Sequence, residues 1–313
     1  MPLRLGTRGS LLAVTQSRWV ASRVEVVART PVTLVEIRTA GDLAKGRPLH
    51  EIGGKGLFTG ELDRALLAGE IDLAVHSLKD VPTQLPEGIS VGAVPEREDP
   101  RDVLIGPAGA GVTLGTLRRG GRVGTGSLRR MALVRALRPD VSPEEIRGNL
   151  DTRIRKVDQG EVDGIVVAAA GVHRLGARDR ISEYFDLGSW LPAPGQGALA
   201  VAVRTDDVPR LSWLRALDHP PSRAATAAER ALLAVLGAGC RLPVGALGLP
   251  FGGGLRLKGL VAHPDGTRAV RAEATGAQDD PDALGRSVAE ALIARGADHL
   301  LEGLPSMGPA PEV

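Results

Sequence analysis

The spacing of apolar residues along the chain predicts two copies of one strand–helix unit. In the first, a strand at 3–6 leads through a polar turn into a helix over 11–28, whose apolar positions recur at helical spacing. In the second, a strand beginning at 122 leads into a helix over 128–137. In both copies a Gly-Thr pair precedes a helix-opening serine, Ser10 or Ser127.

The likeness between the two halves continues further along the chain. The matching segments are a helix, an acidic turn and a strand at 57–68, 69–72 and 73–75 in the first half, and at 150–159, 160–163 and 164–167 in the second. Strands alternating with helices are typical of parallel sheets, so the pattern predicts an α/β fold of two related, mainly parallel lobes. The alternative is chance similarity among short segments.

Two proline-rich segments interrupt this pattern, at 95–100 and 191–196. Such segments are typical of connections between domains. We therefore expect the chain to cross between the lobes twice. The expected domain limits are 1–96 with 196–217 for the first lobe, and 100–191 for the second.

The pattern changes after residue 218. An Ala- and Leu-rich helix is predicted from about 222 to 236, with Ser222 as its N-cap, followed by a turn at Cys240, short strands to about 274 and a helix near 282–295. This order predicts a small α+β domain over 219–313. The proline-rich end, from 305 onward, is expected to be loosely held.

Composition excludes several classes of protein. Hydrophobic residues make up 43% and charged residues 24% of 313, with no apolar run long enough to cross a membrane. The N-terminus lacks the features of a secretory signal, so a cytoplasmic location is expected. A net charge of +2 and 2% aromatic residues do not favour nucleic-acid binding, and one cysteine without a Cys/His cluster favours neither a disulfide nor a structural metal.

Basic residues cluster at the strand-to-helix turns. Five of the 39 basic residues are lysines, and the rest are arginines. The arginines at or near these turns are Arg8, Arg129, Arg130, Arg147, Arg153 and Arg174. Helix N-termini and guanidinium groups both bind anions, so a ligand with several carboxylates is predicted. A solvated basic surface is the alternative for any single arginine.

Three further residues are candidates for chemistry. Lys55 lies in the glycine-rich run 53–58, GGKGLF, which lacks the Walker spacing, so an ordinary exposed lysine is an equal alternative. Lys79 and Asp80 follow the strand at 73–75, where ligands bind in open α/β sheets. Asp80 is predicted to hold a cation or transfer protons, or alternatively to cap the turn at Pro82.

Cys240 is the one cysteine of the chain and lies in the run 237–243, GAGCRLP. Small neighbours leave room for a bulky group at the sulfur, which favours an exposed thiol with a function. A buried cysteine acting as a small hydrophobe is the alternative. Arg241 and the preceding helix end act on its pKa in opposite senses, so this segment alone does not decide its reactivity.

Taken together, these motifs resemble the porphobilinogen deaminases, also called hydroxymethylbilane synthases. The segments that carry the resemblance are 53–58 (GGKGLF), 76–82 (HSLKDVP), 124–130 (GTGSLRR), 147–149 (RGN) with Thr152 and Arg153, 194–197 (PGQG) and the Cys240 turn. They occur in matching order and spacing over almost the whole chain. The resemblance implies three domains, the first two similar to two-lobed anion-binding proteins.

The resemblance also implies an activity. Members of the family condense four porphobilinogen molecules head to tail, release ammonia at each addition, and free the product by hydrolysis. It implies a dipyrromethane cofactor joined to Cys240 by a thioether, with Asp80 stabilising the cationic intermediate. The implied cofactor-binding residues are Cys240, Lys79, Ser77, Thr125, Ser127, Arg129, Arg130 and Arg147, and the implied substrate-binding residues are Arg8, Ser10, Lys55, Arg147, Arg153, Arg174 and Gln196. A monomer is expected, with lobe motion at the two crossings and a mobile cover around residues 42–56.

The chain departs from the family pattern at two places. Many members have a second lysine where this chain has Glu51, and a serine where it has Gly126. Two other functions stay open: a receptor for a small anion, and a nucleotide-dependent transferase that uses the Lys55 loop. An adduct of two pyrroles on Cys240 would favour the deaminase, and a requirement for ATP and magnesium the transferase.

Overall fold

The computed structural model describes residues 1–38, 59–237 and 242–302. Within these ranges the strands are β1 (Leu3–Thr7), β2 (Val32–Glu36), β3 (Leu73–Ser77), β4 (Ile89–Ala93), β5 (Asp102–Ile105), β6 (Arg122–Thr125), β7 (Ser142–Glu145), β8 (Gly164–Ala168), β9 (Glu183–Tyr184), β10 (Leu199–Arg204), β11 (Val244–Phe251), β12 (Gly254–Ala262) and β13 (Ala269–Gly276). The helices are α1 (Leu11–Ala28), α2 (Gly60–Leu67), α3 (Leu128–Leu137), α4 (Leu150–Asp158), α5 (Ala169–Arg174), α6 (Leu214–Leu217), α7 (Pro220–Val235), α8 (Pro281–Ile293) and α9 (Ala297–Leu301).

Two sheets share one topology. Their strand orders are β2-β1-β3-β10-β4 for lobe 1 and β7-β6-β8-β5-β9 for lobe 2. In each sheet the first three strands are parallel, and the strand in fourth place runs antiparallel to both of its neighbours. The predicted pair of related, mainly parallel lobes is confirmed.

The antiparallel strand of each lobe follows a crossing segment. β5 begins just after the crossing at 95–100, and β10 begins just after the crossing at 191–196. β10 pairs with β3 so that Ala200 lies opposite His76, and β5 pairs with β8 so that Val103 lies opposite Val167. The crossing segments therefore enter the lobes beside the ends of β3 and β8.

The third sheet, β11-β12-β13, is antiparallel and packs against α7 and α8. Leu247 of β11 and Leu260 of β12 belong to the same buried cluster as Trp190 and Leu191 of lobe 2. Trp190 stacks on Phe185, with ring centroids 4.0 Å apart. The small C-terminal α+β domain is confirmed, and apolar packing fixes it to lobe 2. The exact domain limits given above stay a prediction. The strands of each sheet all fall within them.

The start of α7 differs from the prediction. The helix begins at Pro220, so Ser222 lies in its first turn and is not the N-cap. Proline fits the first turn of a helix because its missing N–H has no helical partner there. The Ser222 hydroxyl instead accepts a hydrogen bond of 2.9 Å from the Arg97 backbone N–H. The short helix α9 after α8 was not predicted.

Candidate active site

The turn that carries Asp80 follows directly from β3. A single turn of 3-10 helix, Leu78–Asp80, continues the strand, and the Leu78 N–H donates to the Ala198 carbonyl at 3.0 Å. Lys79 and Asp80 are both partly buried. Because β10 lies beside β3, the second crossing segment packs against this turn.

Gln196 joins this turn to lobe 2. Its Oε1 lies 3.4 Å from Lys79 Nζ and 3.2 Å from Arg130 Nη2. Its Nε2 donates to Asp102 Oδ1 at 2.8 Å and to the Pro100 carbonyl at 2.7 Å. The side chain is fully buried, so that from the second crossing segment it contacts polar groups of the first crossing segment and of both lobes. A direct contact of Gln196 with substrate stays a prediction.

Asp102 is a central residue of the site that the sequence did not single out. Its Oδ2 accepts from Trp190 Nε1 at 2.7 Å and lies 2.7 Å from Arg129 Nη2, while Arg130 and Gln196 contact Oδ1. These donors hold the pKa of the buried carboxyl far below its ordinary value despite burial, chiefly through the charges of Arg129 and Arg130. The signal available in the sequence was an acidic residue opening an otherwise apolar strand.

Arg129 and Arg130 both have internal partners. Arg129 is 2% exposed and donates from Nη1 to the Leu191 carbonyl at 2.6 Å. Arg130 is 7% exposed and donates from Nη1 to the Val166 carbonyl at 3.2 Å. Both arginines therefore stabilise the interior of lobe 2. Their contacts with cofactor carboxylates stay a prediction.

Several cations lie close enough to repel one another. Burial, and next the charge of Arg130, lowers the pKa of Lys79 from 10.5 to about 8. Burial, and next the charges of Arg130 and Arg147, lowers the pKa of Arg153 to about 10. Carboxylates that bind among these cations would reduce this repulsion and so lower the free energy of the cluster. We refer to Lys79, Arg130, Arg147 and Arg153 as the cation cluster.

The predicted hydroxyl residues occupy helix starts and buried turns. Ser10 caps α1 by accepting from the Ala13 N–H at 3.3 Å, and Ser127 caps α3 by accepting from the Arg130 N–H at 3.5 Å. Thr125 is fully buried, and its Oγ1 accepts from the Ser127 N–H at 3.3 Å. The Ser77 hydroxyl lies 3.4 Å from Gln16 Nε2. The two equivalent turns thus use equivalent serines.

The remaining predicted arginines lie around this centre. Arg147 Nη2 pairs with Glu145 at 2.6 Å and is 30% exposed. Arg174 ends α5 and donates to the Gly197 carbonyl at 2.7 Å, and burial lowers its pKa to about 10. Burial, and next the charge of nearby Arg8, lowers the pKa of His76.

Asp80 lies beside the cation cluster, because its charge acts on that of Lys79. Among the described residues no hydrogen bond joins it to the turn at Pro82, so the capping alternative gains no support.

Lys55 and Cys240, and with them the predicted mobile cover, lie outside the described residues. Glu51 does too, whereas Gly126 is described: a Cβ there would lie 3.7 Å from Arg153 Nη2, so a serine would fit.

Glu229 of α7 is a second central residue that the sequence did not single out. It accepts from Arg97 Nη1 at 2.6 Å, from the Gly195 N–H at 2.6 Å and from the Gly248 N–H at 2.8 Å. One buried carboxylate therefore holds both crossing segments and β11. An acidic residue among the apolar positions of a helix was the available signal.

The fold and the site define a two-lobed α/β protein with an additional C-terminal domain and a cation-lined site where the two crossing segments meet. The model of the "Porphobilinogen deaminase, dipyromethane cofactor binding domain" matches residues 3–211, and that of the "Porphobilinogen deaminase, C-terminal domain" matches residues 224–294. The chain belongs to the porphobilinogen deaminase family.

Curated relatives match over nearly the full chain. The porphobilinogen deaminase of Desulforudis audaxviator is 50% identical over 95% of this chain and 96% of its own. That of Acidothermus cellulolyticus is 49% identical over 98% of this chain and 93% of its own. Among solved structures, an ABC transporter periplasmic substrate-binding protein from Coxiella burnetii matches 73% of this chain and 96% of its own at a TM-score of 0.44 and 14% identity. Within the described ranges, no helix has both the length and the apolar character needed to cross a membrane.

Proposed function

We propose that this chain condenses porphobilinogen head to tail into hydroxymethylbilane, in tetrapyrrole biosynthesis. The observation that carries the proposal is the cation cluster beside Asp80. Each added pyrrole brings two carboxylates, so the growing chain needs concentrated positive charge in a protein whose net charge is only +2. Membership of the family favours this enzyme over an anion receptor or a nucleotide-dependent transferase.

The family model describes the larger part of the chain as a dipyrromethane cofactor-binding domain. The cation cluster fits such a group, because burial and neighbouring cations lower the pKa values of Lys79 and Arg153, and a bound carboxylate would favour their charged forms. When bound, the cofactor supplies a nucleophilic pyrrole carbon and keeps the product chain attached. We propose that Cys240 carries it through a thioether.

The other side chains of the site are proposed to bind the carboxylates of the cofactor and the substrate. The cofactor-binding side chains are Ser77, Lys79, Thr125, Ser127, Arg129, Arg130 and Arg147. The substrate-binding side chains are Arg8, Ser10, Lys55, Arg147, Arg153, Arg174 and Gln196. Arg147 and Arg153 are partly exposed, whereas Arg129 and Arg130 are buried and act from the interior.

Asp80 is the proposed catalytic residue. In each addition the C–N bond of the protonated aminomethyl group breaks, ammonia leaves with the bonding electrons, and the pyrrole keeps the positive charge. A new C–C bond would then form between this cation and the terminal ring of the bound pyrrole chain, and that ring would lose its α-proton. The Asp80 carboxylate stabilises the cation more than the neutral pyrrole and accepts protons from the ring.

Mass spectrometry of the intact protein tests the proposal. We expect a mass higher than the sequence by a two-pyrrole adduct, loss of that adduct in Cys240→Ser, and porphobilinogen consumption with ammonia release by the wild-type protein. A fully active protein without an adduct would contradict the tether. We also propose a cytoplasmic monomer, which sedimentation and cell fractionation check.

A further inference from the structure

Two neighbouring residues of helix α7, in the C-terminal domain, restrain the Asp80 turn. The first, Glu229, acts through the crossing segment and accepts from the Gly195 N–H at 2.6 Å. Gly195 has a positive φ of 74° and packs so closely that a Cβ there would lie 3.2 Å from the Lys79 backbone nitrogen. Glu229 thereby fixes the crossing segment on which the turn rests.

The second residue, Arg230, holds the chain directly after Asp80. Arg230 Nη1 donates to the Val81 carbonyl at 2.8 Å, and Nη2 donates to the Pro82 carbonyl at 2.6 Å and lies 3.4 Å from the Thr83 carbonyl. These carbonyls follow the catalytic residue directly. A guanidinium suits the position because its rigid fork can serve neighbouring acceptors at once.

Among the described residues, the other backbone hydrogen bonds that restrain Val81 and Pro82 are few, although the Val81 side chain packs in an apolar cluster with Leu78 and Val94. The Val81 N–H bonds back to the Leu78 carbonyl at 3.2 Å, and Pro82 has no N–H to donate. A shift of the Val81 and Pro82 peptides would therefore move Asp80, which immediately precedes them. Displacements of about 1 Å at a reacting group can cost about 100-fold in rate.

We infer that Arg230 is a positioning residue that holds the Asp80 carboxylate in its reactive place from the C-terminal domain. The inference rests on the proposed role of Asp80. Arg230 lies ten residues before the proposed tether at Cys240. The same helix thus leads into the segment that carries the product chain and orients the carboxylate that acts on it.

A matched control lies two turns earlier on the same helix. Arg223 Nη2 donates to the Gly92 carbonyl at 3.0 Å and Nη1 to the Val91 carbonyl at 3.4 Å, so it also joins α7 to lobe 1 but away from the Asp80 turn. We propose to compare Arg230→Met with Arg223→Met in the full-length, cofactor-loaded enzyme. Adduct mass, melting temperature, kcat and KM are measured for both.

Arg230→Met is expected to lower kcat about tenfold or more, with KM within about twofold and the adduct retained. Arg223→Met is expected to lower the melting temperature similarly while kcat stays near that of the wild type. An equal fall of kcat in both variants, or an unchanged kcat in Arg230→Met, overturns the inference. Arg230→Lys, which keeps the charge and one donor, is expected to recover part of the rate.

A double variant separates positioning from general loosening. If Arg230 acts through Asp80, adding Arg230→Met to Asp80→Asn leaves kcat close to that of Asp80→Asn alone, because the two changes remove one function. If the double variant instead lost kcat by the product of the two single-variant factors, the inference would be overturned. A wild-type protein without adduct or turnover would instead overturn the proposed function, so the two failures are distinct.

Discussion

Arg130 and Asp102 meet through two donors on one oxygen: Nε lies 3.0 Å and Nη2 lies 2.7 Å from Asp102 Oδ1. Because Arg129 and Trp190 contact the other oxygen, a single carboxylate orients both arginines of α3. It also balances part of the charge that Arg130 exerts on Lys79. Asp102 therefore sets how much positive charge the site offers to a ligand.

Asp102→Asn tests this arrangement. The substitution keeps the side-chain shape but leaves two buried guanidinium groups without their anion, so a loss of about 3–5 kcal/mol in the free energy of unfolding is expected. Urea unfolding measures it. Asp151→Asn, which removes an exposed carboxylate 3.9 Å from Arg155, is the control and should stay within about 0.5 kcal/mol. A loss as small as the control's would contradict the structural role of Asp102.

His76 gives a second prediction, on acid stability. Burial, and next the charge of Arg8, lowers the pKa of His76 from 6.5 to about 4, and its Nε2 has no hydrogen-bond partner among the described residues. The unfolded chain takes up a proton near pH 6.5, whereas the folded protein does so only near pH 4. Stability is therefore full above pH 6.5 and falls as the pH drops towards 4, by about 3 kcal/mol.

Unfolding titrations between about pH 4 and 8 measure this loss for wild type and His76→Gln. The variant should lack most of the acid-dependent fall, because its side chain does not titrate. His299→Gln, at an exposed position, is the control and should keep it. An identical acid profile in His76→Gln and wild type would rule out His76 as its cause.

Lys79 gives a third prediction, in which activity and stability change in opposite directions. Its pKa of about 8 in the folded protein lies below the ordinary 10.5. Its charge is lost as the pH rises through 8, so kcat/KM for porphobilinogen should fall, by at most about tenfold per pH unit. Between pH 8 and 10.5 the unfolded chain holds the proton that the folded one has released, so this residue's contribution to stability rises with pH.

Lys79→Arg separates this effect from others, because an arginine keeps its charge over the whole range. The alkaline fall in kcat/KM should move beyond about pH 9.5 in that variant. Lys156→Arg, which changes a lysine paired with Glu161 at the surface, should leave the profile as in the wild type. An unmoved profile in Lys79→Arg would assign the fall to another group.

The sequence could predict what repeats or depends on local spacing. The paired units before α1 and α3 were visible because the same turn, with Ser10 or Ser127 as cap, recurs in each lobe. The turn at Asp80 was visible because polar residues follow an apolar strand. Both predictions needed only neighbouring residues, and the motifs were specific enough to indicate the family.

The missed residues depend on contacts between distant segments. Asp102 acts through Arg129, Arg130 and Gln196, and these meet only because the crossing segments bring β5 and β10 into their sheets. The partners of Glu229 lie on both crossings and on β11. Nothing in the local pattern reveals such partners. The inward direction of Arg129 likewise depends on the carboxylate supplied by β5.

Asp80→Asn gives the last prediction. The substitution removes a charge with little change of volume, so the protein should fold and bind porphobilinogen with a KM within about threefold of wild type. Because a neutral amide no longer stabilises the cation formed as ammonia leaves, kcat should fall about 100-fold or more. Adduct mass is measured on the same preparation, so that a fall in kcat is not confused with a missing cofactor. Asp80→Glu keeps the charge but displaces it, so its kcat should lie between those of the wild type and Asp80→Asn. Near-normal turnover in Asp80→Asn would remove Asp80 from its proposed role.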